Sequence, residues 1–245
     1  MPLVIDLLGG DAWVTAEVTA VREEAPGIRS FDLSPCDPSY SSPSARVLAG
    51  VPQILVLNAH TLAGLDPSSG HELWDAPWDF PNPNVCQPLV LPGDRLFVSS
   101  GYGAGCGLFR VEATASGELA AVKEWKTTSL KSKFASYVAR DGHVYGLDDG
   151  ILTCIDLADG KRRWKDGRYG HGQLLLADDL LLVLTEYGEL VLVAPTPLEH
   201  RELARISALP GKTWNVPALA APLLLLRNDQ EAVCYRLPVS EASTR

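Results

Sequence analysis

The sequence predicts an all-β fold: a β-propeller of four-stranded antiparallel blades, about five in number, in an incomplete ring. Two observations carry that prediction. A pair of sequence elements recurs in the same order every 40–45 residues, and short alternating apolar runs are divided by Gly–Asp turns. Composition permits it. Of 245 residues, 46 % are hydrophobic and 21 % charged, enough apolar material for a core. The 21 glycines and 18 prolines suit a chain that turns often. The net charge of −9 argues against a nucleic-acid backbone as partner.

The first repeated element is the clearer. LDPSSGHELW at 65–74 and IDLADGKRRW at 155–164 align without a gap. Asp66, Gly70 and Trp74 stand 90 residues before Asp156, Gly160 and Trp164, which is two periods of 45. A looser copy at 109–125 lies between them, with Glu112 in place of the Asp, then Gly117 and Trp125. Weaker copies at 188–195 and 231–238 keep the strand and lose the Gly and Trp. The second element is a turn followed by a β-rich run: AGVPQILVL (49–57), PGDRLFVSS (92–100), RDGHVYGL (140–147), ADDLLLVLT (177–185) and LAAPLLLLR (219–227).

Each unit therefore supplies four strands, as residues 134–165 illustrate, with DG, DDG and ADG as hairpin punctuation. Only VTAEVTAVREE at 14–24 has helical periodicity beyond two turns. In the Asp–Gly–Trp element, Asp accepts backbone N–H bonds across the turn, and Gly supplies positive φ. The Trp packs on the neighbouring blade and bonds its backbone through the indole N–H. Asp66, Gly70, Trp74, Trp125, Asp156, Gly160 and Trp164 are on this reading blade-docking residues rather than ligand contacts.

Loops on a rigid ring are where binding residues concentrate. Tyr40, Asn82, Lys133, His171, Trp214 and Asn215 fall in blade-to-blade loops, and Tyr102, Asp148, Asp149, Glu186 and Asn228 in mid-blade loops. Together they form the candidate channel mouth. No catalytic residue and no metal ligand is assigned. The histidines lack metal-ligand spacing, and no nucleophile elbow, Walker A loop or EF-hand run occurs. Five scattered cysteines fit small buried side chains rather than a disulfide framework. The longest apolar stretch, 216–226, holds two prolines and is too short to span a bilayer as a helix.

LDPSSGHELW and CIDLADGKRRW resemble the tryptophan-docking motif of PQQ-like (quinoprotein) β-propeller repeats. YSSP (40–43), YGHGQLLL (169–176) and ELVLV (189–193) are similar to exported bacterial members of that family. The resemblance covers about 40–238 and implies blades over 31–238, with an unassigned segment at 1–30 and a tail at 239–245. It also implies a periplasmic or extracellular location, although the start of this chain has no signal peptide, so an export signal would lie upstream.

The family divides into quinoprotein dehydrogenases and non-catalytic propellers, among them a lipoprotein scaffold of the outer-membrane assembly machinery. The methanol-dehydrogenase type carries a disulfide between adjacent cysteines, which this sequence lacks, and is more than twice as long. The resemblance thus favours a non-enzymatic scaffold or binding module with no cofactor, whose partner is a protein or a small-molecule ligand. The alternative is a fragment of a dehydrogenase that binds pyrroloquinoline quinone and calcium. The family usually closes with about eight blades. About five leave open a fragment, a smaller ring, or self-association through open blade edges.

Overall fold

The computed structural model describes residues 39–238 in full and the backbone of 16–25 and 28–35. Every regular element among them is a β-strand. β1 (Ala16–Ala25) and β2 (Ile28–Pro35) pair as a two-stranded antiparallel sheet. The segment with helical periodicity is thus a strand over its described residues. Five further antiparallel sheets follow, each a meander of consecutive strands. They are the blades of a propeller-type repeat, and the first starts at Ser44.

Two compact units divide the chain, 1–128 and 129–245. The first unit holds blade one, β3 (Ser44–Leu48), β4 (Val51–Leu57), β5 (Thr61–Leu65) and β6 (Glu72–Pro77). It also holds blade two, β7 (Leu89–Leu91), β8 (Arg95–Ser100), β9 (Gly105–Ala113) and β10 (Leu119–Thr127). The second unit holds blade three, β11 (Val138–Arg140), β12 (His143–Asp148), β13 (Ile151–Asp156) and β14 (Arg162–Arg168). Blade four is β15 (Gln173–Ala177), β16 (Leu180–Leu184), β17 (Glu189–Val193) and β18 (Glu202–Ser207). Blade five has three strands among the described residues, β19 (Ala218–Ala220), β20 (Leu223–Arg227) and β21 (Ala232–Arg236).

The hairpins between first and second strands are two-residue turns, except in blade two, where three residues, Pro92–Gly93–Asp94, connect the strands. Ala49–Gly50 and Asp141–Gly142 have positive φ at both central residues, the geometry whose twist matches that of paired strands. The Asp-to-Gly turns between third and fourth strands repeat bond for bond. The backbone N–H of Asp66 donates to the His71 carbonyl, and Gly70 N–H to the Asp66 carbonyl, both at 2.8 Å. Asp156, Lys161 and Gly160 reproduce the pair at 2.9 Å. Gly70 and Gly160 sit at φ 75° and 68°, where a Cβ would be strained. The Ser68 hydroxyl and the Ser69 N–H hold the Asp66 carboxyl down at about 2. In blade two the turn is closed differently. Thr114 bonds Glu118 and Gly117 through its backbone, while Glu112 stays in β9 and pairs with Arg110.

Blades pack face to face within each unit. Leu55, Leu57, Trp74 and Trp78 of the first blade and its exit loop share one core with Leu96, Val98 and Phe109 of the second. Tyr145, Leu147 and Cys154 of blade three meet Leu181, Val183 and Val191 of blade four, and Leu182 and Leu184 meet Leu224 and Leu226 of blade five. Several polar bonds between blades join residues one period apart. Asp94 accepts from the Ala49 N–H at 2.8 Å and Gln87 donates to the Ser42 carbonyl at 3.0 Å, each 45 residues away. In the second unit the offset shortens to 37–41 residues.

The tryptophans of the repeat differ in what they hold. Trp164 donates through Nε1 to the Thr196 carbonyl of blade four at 2.8 Å, and its ring lies against Tyr145 and His200. Trp74 packs in the core shared with blade two, yet its N–H goes to Gln53 Oε1 of its own blade, over the bare Cα of Gly64. Trp125 lies against Phe97 of its own blade. Trp164→Phe keeps a ring between the blades and removes the N–H. It is expected to cost about 1 kcal/mol by urea denaturation, the ordinary net worth of one hydrogen bond. No measurable change would show that the bond to Thr196 does not hold the blades.

Candidate functional site

Three inter-blade loops of the second unit converge on one side chain. Gln173, the first residue of β15, is 4 % exposed. Its Nε2 donates to the Phe134 carbonyl at 2.7 Å and to the Trp214 carbonyl at 3.1 Å, and its Oε1 accepts from the Ser136 N–H at 3.2 Å. One amide thus fixes the loops that enter blades three and five from the start of blade four. A buried amide with its bonds satisfied on both sides is a rigid tie.

Glu186, in the turn between β16 and β17, completes the frame. Its backbone N–H donates to the Tyr169 carbonyl and its carbonyl accepts from the Thr213 N–H, both at 2.9 Å. Its carboxylate accepts the His171 backbone N–H at 2.9 Å and the Trp214 indole N–H at 3.0 Å. Those N–H bonds, led by that of His171, hold its pKa below the usual carboxylate range against the opposing effect of burial. The carboxylate lies on Gly170, where an added Cβ would come within 2.5 Å of Oε2.

The side chains carried by this frame are aromatic. Phe134 and Trp214 stack with centroids 5.3 Å apart and planes 18° off parallel. His171 meets Phe134 edge-on at 5.7 Å. The Lys212 ammonium lies 3.5 Å from the Trp214 ring centroid, a cation–π geometry. Trp214 remains 40 % exposed. Of the residues the sequence nominated for the mouth, His171, Glu186 and Trp214 come together here. Phe134, Gln173 and Lys212 join them without having been nominated.

The other nominated residues make different contacts. Asp148 is fully buried and ion-paired to Lys131 and Lys165, with Arg162 at 3.5 Å. Lys133 pairs with Asp149 at 3.1 Å. Asn228 accepts two backbone N–H bonds from Gln230 and Glu231 and donates to the Pro210 carbonyl, which makes it a turn cap. Asn215 is half-buried beside Trp214. In the first unit, Tyr40 and Tyr102 are exposed and Asn82 half-buried. The tie there is Asn84, which is fully buried and bonds the Asn58 carbonyl and the Ser100 hydroxyl.

Glu186 is held ionised by its donors and so is no proton donor at neutral pH. Burial pushes the thiols of Cys86 and Cys154 up to about 12, far from nucleophilic. The fold family includes members that hold a quinone with calcium, an ion that takes six or more oxygen ligands. Asp148 does not fit that role, because both of its oxygens already face ammonium groups. Among the described residues no group of three or more His, Cys, Asp or Glu side chains is placed to hold a metal. No described helix is long and apolar enough to cross a membrane.

Repeated four-stranded blades, the Asp–Gly turns and the inter-blade tryptophans define a PQQ-like β-propeller repeat protein. The family model described as outer membrane protein assembly factor BamB (PQQ_2) matches residues 31–166, more than half of the chain, and the chain belongs to that family. Among solved structures it is similar to the crystal structure of BamB from Moraxella catarrhalis. The identity is 16 %, the match covers 96 % of this chain and 74 % of that one, and the TM-score is 0.61. No curated protein matches it by sequence.

Proposed function

We propose that this protein is a non-enzymatic scaffold of the cell envelope that docks a partner protein on the loop face of its second unit. The family's description, an outer membrane assembly factor, supports an exported location and a protein partner. The observation that carries the reading is the partly exposed Phe134–Trp214–His171 cluster. It is pinned by Gln173 and Glu186 and so costs little ordering entropy on binding. Exposed aromatics on a stiff frame are the usual anchors of protein interfaces.

The test places a photo-crosslinking amino acid at Asn215, beside Trp214, and irradiates the protein in an envelope fraction of its own cells. A discrete adduct is expected, and Trp214→Ala should abolish it while shifting the melting temperature by no more than a few degrees. An adduct that survives Trp214→Ala, or no adduct at all, overturns the reading. The same proposal requires no cofactor. Pyrroloquinoline quinone with Ca²⁺ should leave the absorbance spectrum and melting temperature of the protein unchanged. A clear rise in melting temperature, by mass action on the folded state, would favour a dehydrogenase relative instead.

A further inference from the structure

A basic cluster adjoins the aromatic site of the second unit. Its centre is Asp148, whose two carboxylate oxygens face the ammonium groups of Lys131 and Lys165, with the Arg162 guanidinium at 3.5 Å. Asp149, the next residue, pairs with Lys133 at 3.1 Å and lies 3.6 Å from the Lys131 ammonium. Four cations of the described residues thus share two carboxylates. Arg168, opposite Ile151 in the ladder, stands exposed beside the same turn. In a chain of net charge −9 this is a local reversal of sign. The surplus is also open to solvent. Asp148 has no exposed surface, whereas the Lys131, Lys133 and Lys165 side chains are 20 %, 23 % and 24 % exposed. Each ammonium has three N–H groups, more than one buried carboxylate oxygen takes up.

The cluster and the aromatic site are continuous. Lys133 precedes Phe134 in the chain. The Asp149–Gly150 turn lies against Gly170, so that a Cβ added to Gly150 would come within 3.1 Å of the Gly170 Cα. Gly170 leads into His171, whose ring meets Phe134. The Lys212 ammonium adds a further cation over Trp214. Glu186, the carboxylate within the aromatic frame, is already bonded to two N–H donors. The aromatic centre is thus flanked by cations, the arrangement of an apolar interface core with a charged rim.

Resting on the docking reading above, we propose that the partner's docked segment is acidic, with an apolar side chain on Phe134 and Trp214 and carboxylates on Lys131, Lys133 and Lys165. Asp148 holds two of these lysines toward one point, so part of the cost of gathering like charges is met before the partner arrives. A carboxylate of the partner takes N–H donors that face solvent and offsets the surplus charge. Nucleic acid would meet the same cations, but the net charge of −9 repels a long polyanion over the rest of the surface. A short acidic segment of a protein escapes that repulsion.

The experiment titrates the full chain, by fluorescence anisotropy, against dye-labelled peptides that share a Leu-Phe-Leu core and differ in flanks of glutamate, glutamine or lysine. The glutamate peptide is expected to bind about tenfold or more tighter than the glutamine one, and the lysine peptide weakest of all. Salt near about 1 M, where the screening length is about 3 Å, should erase the difference. Lys133→Glu should erase it too. If that variant fails to fold, Lys133→Gln should cut the difference about threefold or more. Trp214→Ala should weaken the glutamate and glutamine peptides alike, because it removes the anchor and not the charge. In the envelope fraction, Lys133→Glu should lower the yield of the Trp214-dependent adduct at Asn215.

Equal binding of the glutamate and glutamine peptides, a difference that survives Lys133→Glu, or no binding by any peptide overturns the proposal. Single-stranded DNA that displaces the glutamate peptide at equal charge would make the occupant a nucleic acid, and overturns it as well. So does an adduct that keeps its full yield in Lys133→Glu while still depending on Trp214, and in that case the docking reading stands. Loss of the dependence on Trp214 overturns both.

Discussion

Trp78→Ala should cost about 3–5 kcal/mol and lower the urea midpoint of the first unit sharply. Trp78 is 1 % exposed and lies between the two blades of that unit, with its ring edge against Phe109 at 6.0 Å. Truncation opens a cavity that the paired sheets around it are too stiff to fill. It also breaks a chain of bonds. The indole N–H donates to the Ser100 hydroxyl at 2.9 Å, that hydroxyl donates to the Asn84 side-chain oxygen, and the Asn84 amide donates to the Asn58 carbonyl at 2.6 Å. All of these side chains but Asn58 are buried, so a lost donor is not replaced by bulk water. Trp78→Phe should recover most of the loss and isolate the share owed to the N–H. A Trp78→Ala cost below about 1 kcal/mol would show that this ring does not hold the blades together.

Trp78 also marks the limit of what the sequence makes legible. The blades themselves are plain in it, because an Asp at a strand end, a Gly needing positive φ and a following Trp are each dictated by one turn, and that turn recurs at fixed spacing. Trp78 has no such partner. Its counterpart in blade three is Tyr169, also fully buried, and the two share a backbone bond. Trp78 N–H donates to the His60 carbonyl and Tyr169 N–H to the Gly150 carbonyl, at 2.8 and 2.9 Å. The residue type has changed, and the spacing from the turn Asp is twelve residues in one case and thirteen in the other. A search for identical residues at one period passes over such a pair. What is conserved is a backbone bond and a volume.

The site shows the same division. Loop membership is readable from the repeat, which is why His171, Glu186 and Trp214 could be nominated from sequence. Contact across loops is not, because Phe134, Gln173 and Trp214 meet only once two periods of chain are folded. Gln173 had one local sign, its place right after the two glycines of YGHGQ at a strand start. There an added Cβ on Gly172 would come within 2.2 Å of the Leu184 carbonyl. Blade five is described only in part. The sequence element for its third strand is present, but the described residues supply no fourth.

Asp148→Asn should destabilise the protein at neutral pH by about 3 kcal/mol, the lower part of the range for breaking a buried ion pair. Asp148 ends β12 with no exposed surface, and the ammonium groups of Lys131 and Lys165 reach it from positions 17 residues away on either side. The lysine side chains are 20 % and 24 % exposed, so water relieves part of the charge the variant would leave behind. Burial by itself would raise the pKa of this carboxyl, but the hydrogen bonds from Lys131 and Lys165 outweigh it and hold the pKa below its ordinary value. A carboxyl lowered by folding adds stability above its unfolded pKa of about 3.9 and loses it as pH falls through the folded value. The wild type should therefore lose stability in acid below about pH 4 more steeply than Asp148→Asn does. Adding Lys165→Met to the variant removes one uncompensated ammonium and should restore part of the loss, a coupling that a double-mutant cycle by urea denaturation reads directly. If Asp148→Asn matched the wild type at pH 7, or both lost stability in acid in parallel, Asp148 would be an ordinary turn residue and its lysines surface cations.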